Sequence, residues 1–180
     1  MPLRAFRQVL NGERDVTVGP FLLRKDELSA LIAGWTKRYR VYAPVLRDGE
    51  LRFDVVGSAQ EVVLDYRNTP KAPKSVFFPQ TERLIRFGRG LDDFNPVESV
   101  PLDDAPTILL AVRPCDARSF LLLDKVFSEG TYLDPYYKAR RDNTLVIALA
   151  CDQPRPTCFC HAYGSGPYDR EGSDIFLRQA

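Results

Sequence analysis

The sequence lacks the features that mark several large functional classes. Its 25 basic and 24 acidic residues leave a net charge of +1, so it has no basic excess of the kind that nucleic-acid-binding domains carry. No apolar run approaches the roughly 20 residues of a membrane-spanning helix. The N-terminal residues lack the apolar segment of a secretory signal. We therefore expect a cytoplasmic protein with no nucleic-acid partner and no membrane span.

Several ligand-binding motifs are also missing. The acidic segment 91–106 has neither the spacing nor the central glycine of an EF-hand calcium loop, and we interpret it as a surface connection. The segment Gly164–Pro167 matches neither a Walker A loop nor a dinucleotide fingerprint. His161 is the only histidine and has no evident nucleophile partner. We interpret it as a residue beside the neighbouring Cys160 rather than as a ligand.

What the sequence does contain is a group of four cysteines within residues 107–161. They are Cys115, Cys151, Cys158 and Cys160. In the cytoplasm such cysteines are more often metal ligands or redox groups than disulfide partners. Two apolar runs, Ile108–Val112 and Leu145–Leu149, each stop just before a cysteine. Continuous runs of this length are typical of strands that are buried on both faces.

The residues between the two predicted strands have helical patterns. We predict one helix over Asp116–Phe127, capped by Asp116, and a second over Asp134–Arg141, capped by Asp134. Strand, two helices and strand within about 45 residues suit a right-handed crossover between parallel strands. Parallel strands end at the same edge of a sheet, where open α/β sheets bind ligands. The sequence therefore predicts that Cys115 and Cys151 meet at that edge.

The other two cysteines lie on a loop that Pro154 and Pro156 stiffen, so they can return to the same edge. Four thiolates suit either zinc or a [4Fe–4S] cluster. Zinc ligands usually come in pairs with two to four residues between them, whereas only Phe159 separates Cys158 from Cys160. The spread of the four ligands favours the larger cluster, while zinc and a thiol–disulfide pair remain alternatives.

Charged and polar residues near the cysteines are expected to surround the metal group. Arg113, Arg118 and Arg155 would offset the negative charge of a cluster, and charges of this kind tune its reduction potential. Asp116 and His161 directly follow cysteines in the sequence. We therefore place these five residues in the shell around the predicted ligands.

The first half of the chain favours a small β-rich unit with one helix. Leu28, Leu31, Ile32 and Trp35 recur at helical spacing within Lys25–Arg38. Asp48-Gly49 between two β-rich runs predicts a hairpin, and Glu61–Tyr66 reads as a third strand. The predicted fold class is α/β with mixed α+β character.

We expect one domain, in which a hairpin-rich part over residues 1–100 precedes a parallel βααβ segment over residues 107–167. The last residues, from Asp174 to Leu177, look like the start of an apolar segment. We therefore also expect the chain to be the N-terminal part of a longer protein.

Six segments together resemble one family of proteins. They are YAPV (42–45), DGELRF (48–53), FFPQTERLIRF (77–87), AVRPCDARSF (111–120), DPYYKARR (134–141) and ACDQPRPTCFC (150–160). The sequence is similar to the iron–sulfur electron-transfer subunits that include the β subunit of soluble sulfhydrogenases and its counterpart in anaerobic sulfite reductase. The resemblance covers most of the chain from about Tyr39 onward, and its specific part is the cysteine block.

The resemblance implies one [4Fe–4S] cluster with Cys115, Cys151, Cys158 and Cys160 as its ligands, and no catalytic residues of the chain's own. It implies partners in anaerobic metabolism, namely a flavoprotein that reacts with NAD(P)H, a ferredoxin-like region with two clusters, and a hydrogenase or sulfite reductase catalytic subunit. Members of the family usually continue into two C-x2-C-x2-C-x3-C-P motifs, which this sequence lacks. Further clusters are therefore expected on the rest of a longer chain or on a partner.

Overall fold

The computed structural model of the protein describes residues 20–86 and 98–179. Residues 1–19 and residues 91–97 of the acidic segment therefore lie outside the described part, and the surface connection predicted there is described only from Glu98 onward. In the described residues the α-helices are α1 (Lys25–Trp35), α2 (Pro114–Phe127) and α3 (Pro135–Asp142). The strands are β1 (Arg40–Arg47), β2 (Glu50–Val55), β3 (Ile85–Arg86), β4 (Glu98–Ser99), β5 (Thr107–Val112), β6 (Thr144–Leu149) and β7 (Ile175–Leu177).

Five of these strands form one mixed sheet in the order β2-β1-β5-β6-β7. β1 pairs with β5, β5 with β6 and β6 with β7 in parallel, whereas β1 and β2 are antiparallel. β3 and β4 form a separate antiparallel pair. The α/β class and the parallel β5–β6 unit are thereby confirmed. The hairpin and the cysteine-bearing segment contribute to the same sheet, because β1 lies next to β5.

The predicted hairpin is present and has the expected turn chemistry. Arg47 pairs with Glu50 across the turn, and the two residues between them have positive φ values of 54° at Asp48 and 79° at Gly49. Two successive left-handed residues form the turn whose twist matches that of the flanking strands. Glycine is suited to the second position because it lacks the Cβ that opposes positive φ.

The third strand predicted over Glu61–Tyr66 is wrong. This segment makes one isolated bridge to β1, between Val62 and Val45. Next to that bridge the Val63 N–H donates to the Pro44 carbonyl at 2.8 Å, but Pro44 has no N–H to return the bond. A ladder cannot continue through a residue that lacks its donor, so the pairing ends there.

The central strands β5 and β6 are buried along their whole length, as continuous apolar runs predict. On one face of the sheet Leu28 and Ile32 of α1 join the core. On the other face Phe120 of α2 and Tyr137 of α3 pack together with Phe77. No helix in the described residues is long and apolar enough to cross a membrane.

The bounds of α1 differ from the prediction, since it ends at Trp35 rather than at Arg38. Leu28 and Ile32 face the core, but Leu31 is 43% exposed and Trp35 is only partly buried. At about 100° per residue Leu31 lies roughly 100° around the helix from Ile32. It therefore falls at the margin of the stripe that contacts the sheet.

The start of α2 also differs from the prediction. The helix begins at Pro114 with Arg113 at the N-cap, so Asp116 lies inside the first turn and does not cap it. Proline fits the first helical position because its fixed φ is helical and no N–H is needed there. Asp134, in contrast, caps α3 as predicted, accepting the N–H groups of Tyr136 and Tyr137 at 2.9 and 3.0 Å.

A β-bulge interrupts β5 just before the cysteine edge. Leu110 pairs with Ile147 and Val112 with Ala148, which leaves Ala111 as an extra residue on β5. Ala111 has a φ of 62°, which is uncommon for a residue with a Cβ. Bulges bend a strand and change where its next side chains point. Here the bulge lies four positions before Cys115.

Candidate metal centre

Two of the predicted ligands follow neighbouring parallel strands, as expected. Cys115 comes three residues after the end of β5 and lies in the first turn of α2, where it is exposed. Cys151 comes two residues after the end of β6 and is half-buried. Its N–H donates to the Pro167 carbonyl at 3.0 Å. The carboxyl edge of the sheet therefore holds both residues.

The loop after β6 contains the other two cysteines. The Arg155 N–H donates to Cys158 Sγ at 3.1 Å, and the Cys158 N–H donates to the Arg155 carbonyl at 3.0 Å. This reciprocal pair closes a tight turn and directs a donor at the sulfur. Cys160 begins a 3-10 turn over Cys160–Tyr163, which ends at Gly164 with a φ of 64°. All four cysteines are free thiols.

The electrostatics of Cys115 show which thiols are close to one another. Desolvation, together with the charge of the Asp116 carboxylate, raises the pKa of the Cys115 thiol to about 11. Smaller contributions in the same direction come from Cys151 and Cys160. Like-charged thiolates oppose one another's ionisation only at short range. Cys151 and Cys160 therefore both act on the Cys115 thiol at this edge, and Cys158 is joined to them through the loop.

The structure does not form the four thiols into a closed metal site. Within residues 20–86 and 98–179, no group of three or more His, Cys, Asp or Glu side chains is compact enough to hold a metal ion. The ligand set thus remains a prediction. A bound metal ion would oppose the rise at Cys115, because a cation lowers the pKa of the thiolates that bind it.

Arg113 provides a test of whether an anionic metal group fits this edge. Its side chain is buried, with 6% of the residue exposed, and its Nη1 donates to the carbonyl groups of Leu149 and Ala150. Among the described residues its Nε has no hydrogen-bond partner. A buried cation with an unused donor is costly unless an anion compensates it. A thiolate-ligated iron–sulfur cluster is anionic and is therefore compatible with this buried cation, which also acts on the neighbouring Asp116 carboxylate.

The other predicted neighbours of the cluster are placed differently. Arg118 pairs with Asp169 at 3.0 Å and also with Glu171, so carboxylates already neutralise its charge. The Arg155 residue is exposed, and its backbone N–H is the group that contacts Cys158. Of the three arginines predicted to offset the charge of a cluster, Arg113 is the one that is buried and forms no ion pair in the described residues.

The two remaining predicted neighbours, Asp116 and His161, also lie at this edge. Burial raises the pKa of the Asp116 carboxyl to about 6, and the positive charges of Lys74 and Arg113 oppose that rise. His161 lies in the exposed 3-10 turn after Cys160. Neither side chain forms part of a compact metal-binding group within the described residues.

Sequence reasoning missed Tyr66, which supports this edge from a distant part of the chain. Its ring lies under Arg113, and its hydroxyl donates to the carbonyl of Ala111 at 2.5 Å. Burial raises the pKa of the Tyr66 hydroxyl far above its ordinary value. The only sequence signal was a tyrosine at the end of an apolar run, which does not indicate its tertiary partner.

Comparison with known proteins identifies one curated relative over most of the chain. Over 140 residues the chain is 34% identical to Sulfhydrogenase 2 subunit beta of Pyrococcus furiosus, and the matched region is 78% of this chain. The matched part of the chain belongs to the sulfhydrogenase β-like family. The match spans 39% of the length of the Pyrococcus furiosus protein. No protein-family model matches this sulfhydrogenase β-like chain, and no solved structure matches it.

Proposed function

We propose that this sulfhydrogenase β-like chain is an electron-transfer subunit of an oxidoreductase complex and binds one [4Fe–4S] cluster. The proposed ligands are the thiolates of Cys115, Cys151, Cys158 and Cys160. The observation that carries the proposal is that neighbouring parallel strands bring Cys115 and Cys151 to one edge, where Cys160 acts on the same thiol. When bound, the cluster would supply one-electron redox chemistry.

The chain's own residues would bind this group and tune it. The amino end of α2 lies at Cys115, where the helix dipole favours a thiolate and so opposes the effect of desolvation. The Arg155 N–H donates to Cys158 Sγ, and hydrogen bonds to cluster sulfurs raise the reduction potential. Arg113 contributes a buried positive charge. We assign no catalytic residue, since these groups hold and tune an electron carrier.

The proposed partners follow from the family. The similar Pyrococcus furiosus protein is named as a sulfhydrogenase subunit. We infer that this chain passes electrons between a catalytic subunit of the hydrogenase or sulfite reductase type and a partner subunit that is flavin- or NAD(P)H-linked or ferredoxin-like. We place this transfer in the cytoplasm. An exposed Cys115 at the sheet edge supports exchange with a partner at the protein surface.

Anaerobic purification with metal analysis tests the proposal. We expect about four iron atoms and four labile sulfides per chain, together with a broad absorbance band near about 400 nm that bleaches on reduction. Zinc without labile sulfide would instead identify a non-redox interaction module. Rapid alkylation of Cys158 and Cys160 alone in the native reduced protein would indicate thiol–disulfide chemistry, because a cluster protects all four thiols.

A further inference from the structure

We propose that the surface around Cys158 and Cys160 docks an electron-carrier protein whose own surface is acidic. This inference rests on the proposed electron-transfer function and names the chemistry of one partner. Two sets of exposed residues define the surface. The aromatic pair is Phe159 and Tyr163, and the basic rim is Arg67, Lys71, Lys74 and Arg155.

The aromatic pair lies on both sides of Cys160 in the chain. Phe159 and Tyr163 are each 60% exposed, and their ring centroids are 5.6 Å apart. Large exposed aromatic side chains next to one another are costly in water unless a partner covers them. Aromatic residues and arginine are enriched at the centres of protein interfaces, where they contribute much of the binding energy.

The basic rim is held beside the cysteine loop by contacts at both of its ends. Arg67 Nε donates to Oε1 of Gln153, which lies between Cys151 and Cys158, at 3.1 Å. The 3-10 turn Pro73–Val76, which contains Lys74, packs against α2, the helix that carries Cys115. The loop 67–74 is therefore a border of the same sheet edge.

The positive charges of the basic rim are exposed and lie outside the ion pairs of the described residues. All four side chains belong to exposed residues, and none forms an ion pair there, whereas Arg118 near the same edge is paired with Asp169 and Glu171. Residues 65–74 carry three cations and the single carboxylate of Asp65, which leaves a local charge of +2. The whole chain has only +1, so residues 65–74 are more basic than the chain as a whole.

An acidic protein surface complements this arrangement. Opposite charges around two redox centres steer the encounter and raise the association rate constant, chiefly at low ionic strength. Apolar contact at the aromatic pair would then hold the complex. Nucleic acid is a poorer match, since the chain lacks an overall basic excess. The structure thus favours a small protein carrier with carboxylates around its redox centre.

The test compares two triple charge reversals in the cluster-loaded protein. R67E/K71E/K74E reverses part of the basic rim. K25E/K37E/K125E is the matched control, because these lysines are also exposed and form no ion pair in the described residues. The probes are a purified acidic ferredoxin and, for contrast, a basic c-type cytochrome. Stopped-flow kinetics gives the electron-transfer rate, and surface plasmon resonance gives the association rate constant.

At low ionic strength we expect the rim variant to associate with the ferredoxin about tenfold more slowly. The association rate constant of the control should stay within about twofold of that of the parent protein. Added salt should reduce the difference between the rim variant and the parent protein. F159S/Y163S should weaken binding about tenfold through faster dissociation, with an unchanged dependence on salt. These three results together would support the docking surface.

Other outcomes would overturn the docking surface. One is an equal fall of the association rate constant with ferredoxin in the rim variant and the control, and another is unchanged ferredoxin binding in the rim variant. A third is that the parent protein binds the cytochrome, DNA or anionic vesicles more strongly than it binds ferredoxin. Iron and sulfide are measured on every sample. A parent protein that binds no cluster would overturn the proposed function itself, whereas a loaded protein with no charge-dependent docking would overturn only this inference.

Discussion

Arg113 stacks on Tyr66, with its guanidinium carbon 4.1 Å from the centroid of the ring. The guanidinium also donates to the carbonyl groups of Leu149 and Ala150 at the end of β6, while the Tyr66 hydroxyl donates to the carbonyl of Ala111 on β5. The pair therefore connects the ends of the two strands that precede Cys115 and Cys151. A stack of this kind contributes about 0.5 to 2 kcal/mol. Its position, more than its energy, makes it relevant to the site.

Replacing Arg113 tests its contribution of charge to the proposed cluster. Arg113→Gln removes the buried positive charge, so we expect the reduction potential of the loaded protein to become more negative. Arg113→Lys keeps the charge and should stay closer to the parent potential. Spectroelectrochemical titration measures both variants. Equal potentials in the parent and Arg113→Gln proteins would show that Arg113 does not act on the cluster.

Tyr66→Phe removes the hydrogen bond to the bulge and keeps the aromatic ring under Arg113. We expect the free energy of unfolding to fall by about 1 to 2 kcal/mol, because a buried carbonyl loses its donor. Urea denaturation gives this value. Tyr132→Phe is the matched control, since Tyr132 is 90% exposed and should show no change. The interpretation fails if both variants unfold at the same urea concentration.

Cys115→Ser tests the ligand at the start of α2. We expect this variant to lose most of its iron and labile sulfide, because a serine hydroxyl is a poor ligand for the cluster. Iron and sulfide analysis after anaerobic purification measures the loss, and circular dichroism checks that the fold is retained. A folded variant with the cluster content of the parent protein would remove Cys115 from the ligand set.

Acid should weaken the ion pair between Arg40 and Asp103, whose charged atoms lie 2.7 Å apart. The hydrogen bond from Arg40 holds the pKa of the Asp103 carboxyl below its ordinary value of 3.8. A carboxyl with a depressed pKa in the folded state stabilises the protein above its unfolded pKa. That stability is lost as the pH falls through the folded pKa. The loss should therefore develop below about pH 4.

Asp103→Asn should lower the free energy of unfolding at neutral pH, because it removes the ion pair. In acid the variant and the parent protein should become more similar in stability, because the parent protein loses the ion pair as well. Both side chains are 37% exposed, so solvent screening limits the effect to about 1 kcal/mol or less. Denaturation between about pH 3 and pH 7 measures it. Asp104→Asn, at the exposed neighbouring position, is the control. If the stability of the two variants depended on pH in the same way, the role of the Arg40–Asp103 ion pair would be contradicted.

Two glycine substitutions should change stability in opposite directions. Gly49→Ala in the hairpin should lower the free energy of unfolding by about 1 kcal/mol, because its φ of 79° strains a residue with a Cβ. Gly34→Ala in α1 should raise it by about 0.5 to 1 kcal/mol, because alanine favours a helix. A Cβ meets nothing within 4 Å at either position. Thermal unfolding should therefore separate the two variants, and shifts of the same sign would refute this comparison.

Elements with strong local signals were predictable from the sequence. The apolar runs of β5 and β6, the Asp134 cap with Pro135, and the Asp48-Gly49 turn all appear where the patterns indicate. The meeting of Cys115 and Cys151 at one edge was also predictable. It follows from parallel pairing, which the crossover length requires. In these cases the structure follows from interactions among a few neighbouring residues, or from a chain connection whose length permits only parallel pairing of the two strands.

The sequence by itself determined the strands β5 and β6, the helix α3, the β1–β2 hairpin and the sheet edge that holds Cys115 and Cys151. Only the tertiary structure decided that β1 lies beside β5, that Glu61–Tyr66 is not a strand, and that Arg118 is already paired. It also brought Tyr66 under Arg113, 47 positions along the chain. These outcomes depend on which distant groups become neighbours. The arrangement of these distant groups limits the number of buried unpaired charges and of buried backbone groups without hydrogen bonds across the whole molecule. A short stretch of sequence does not specify this arrangement.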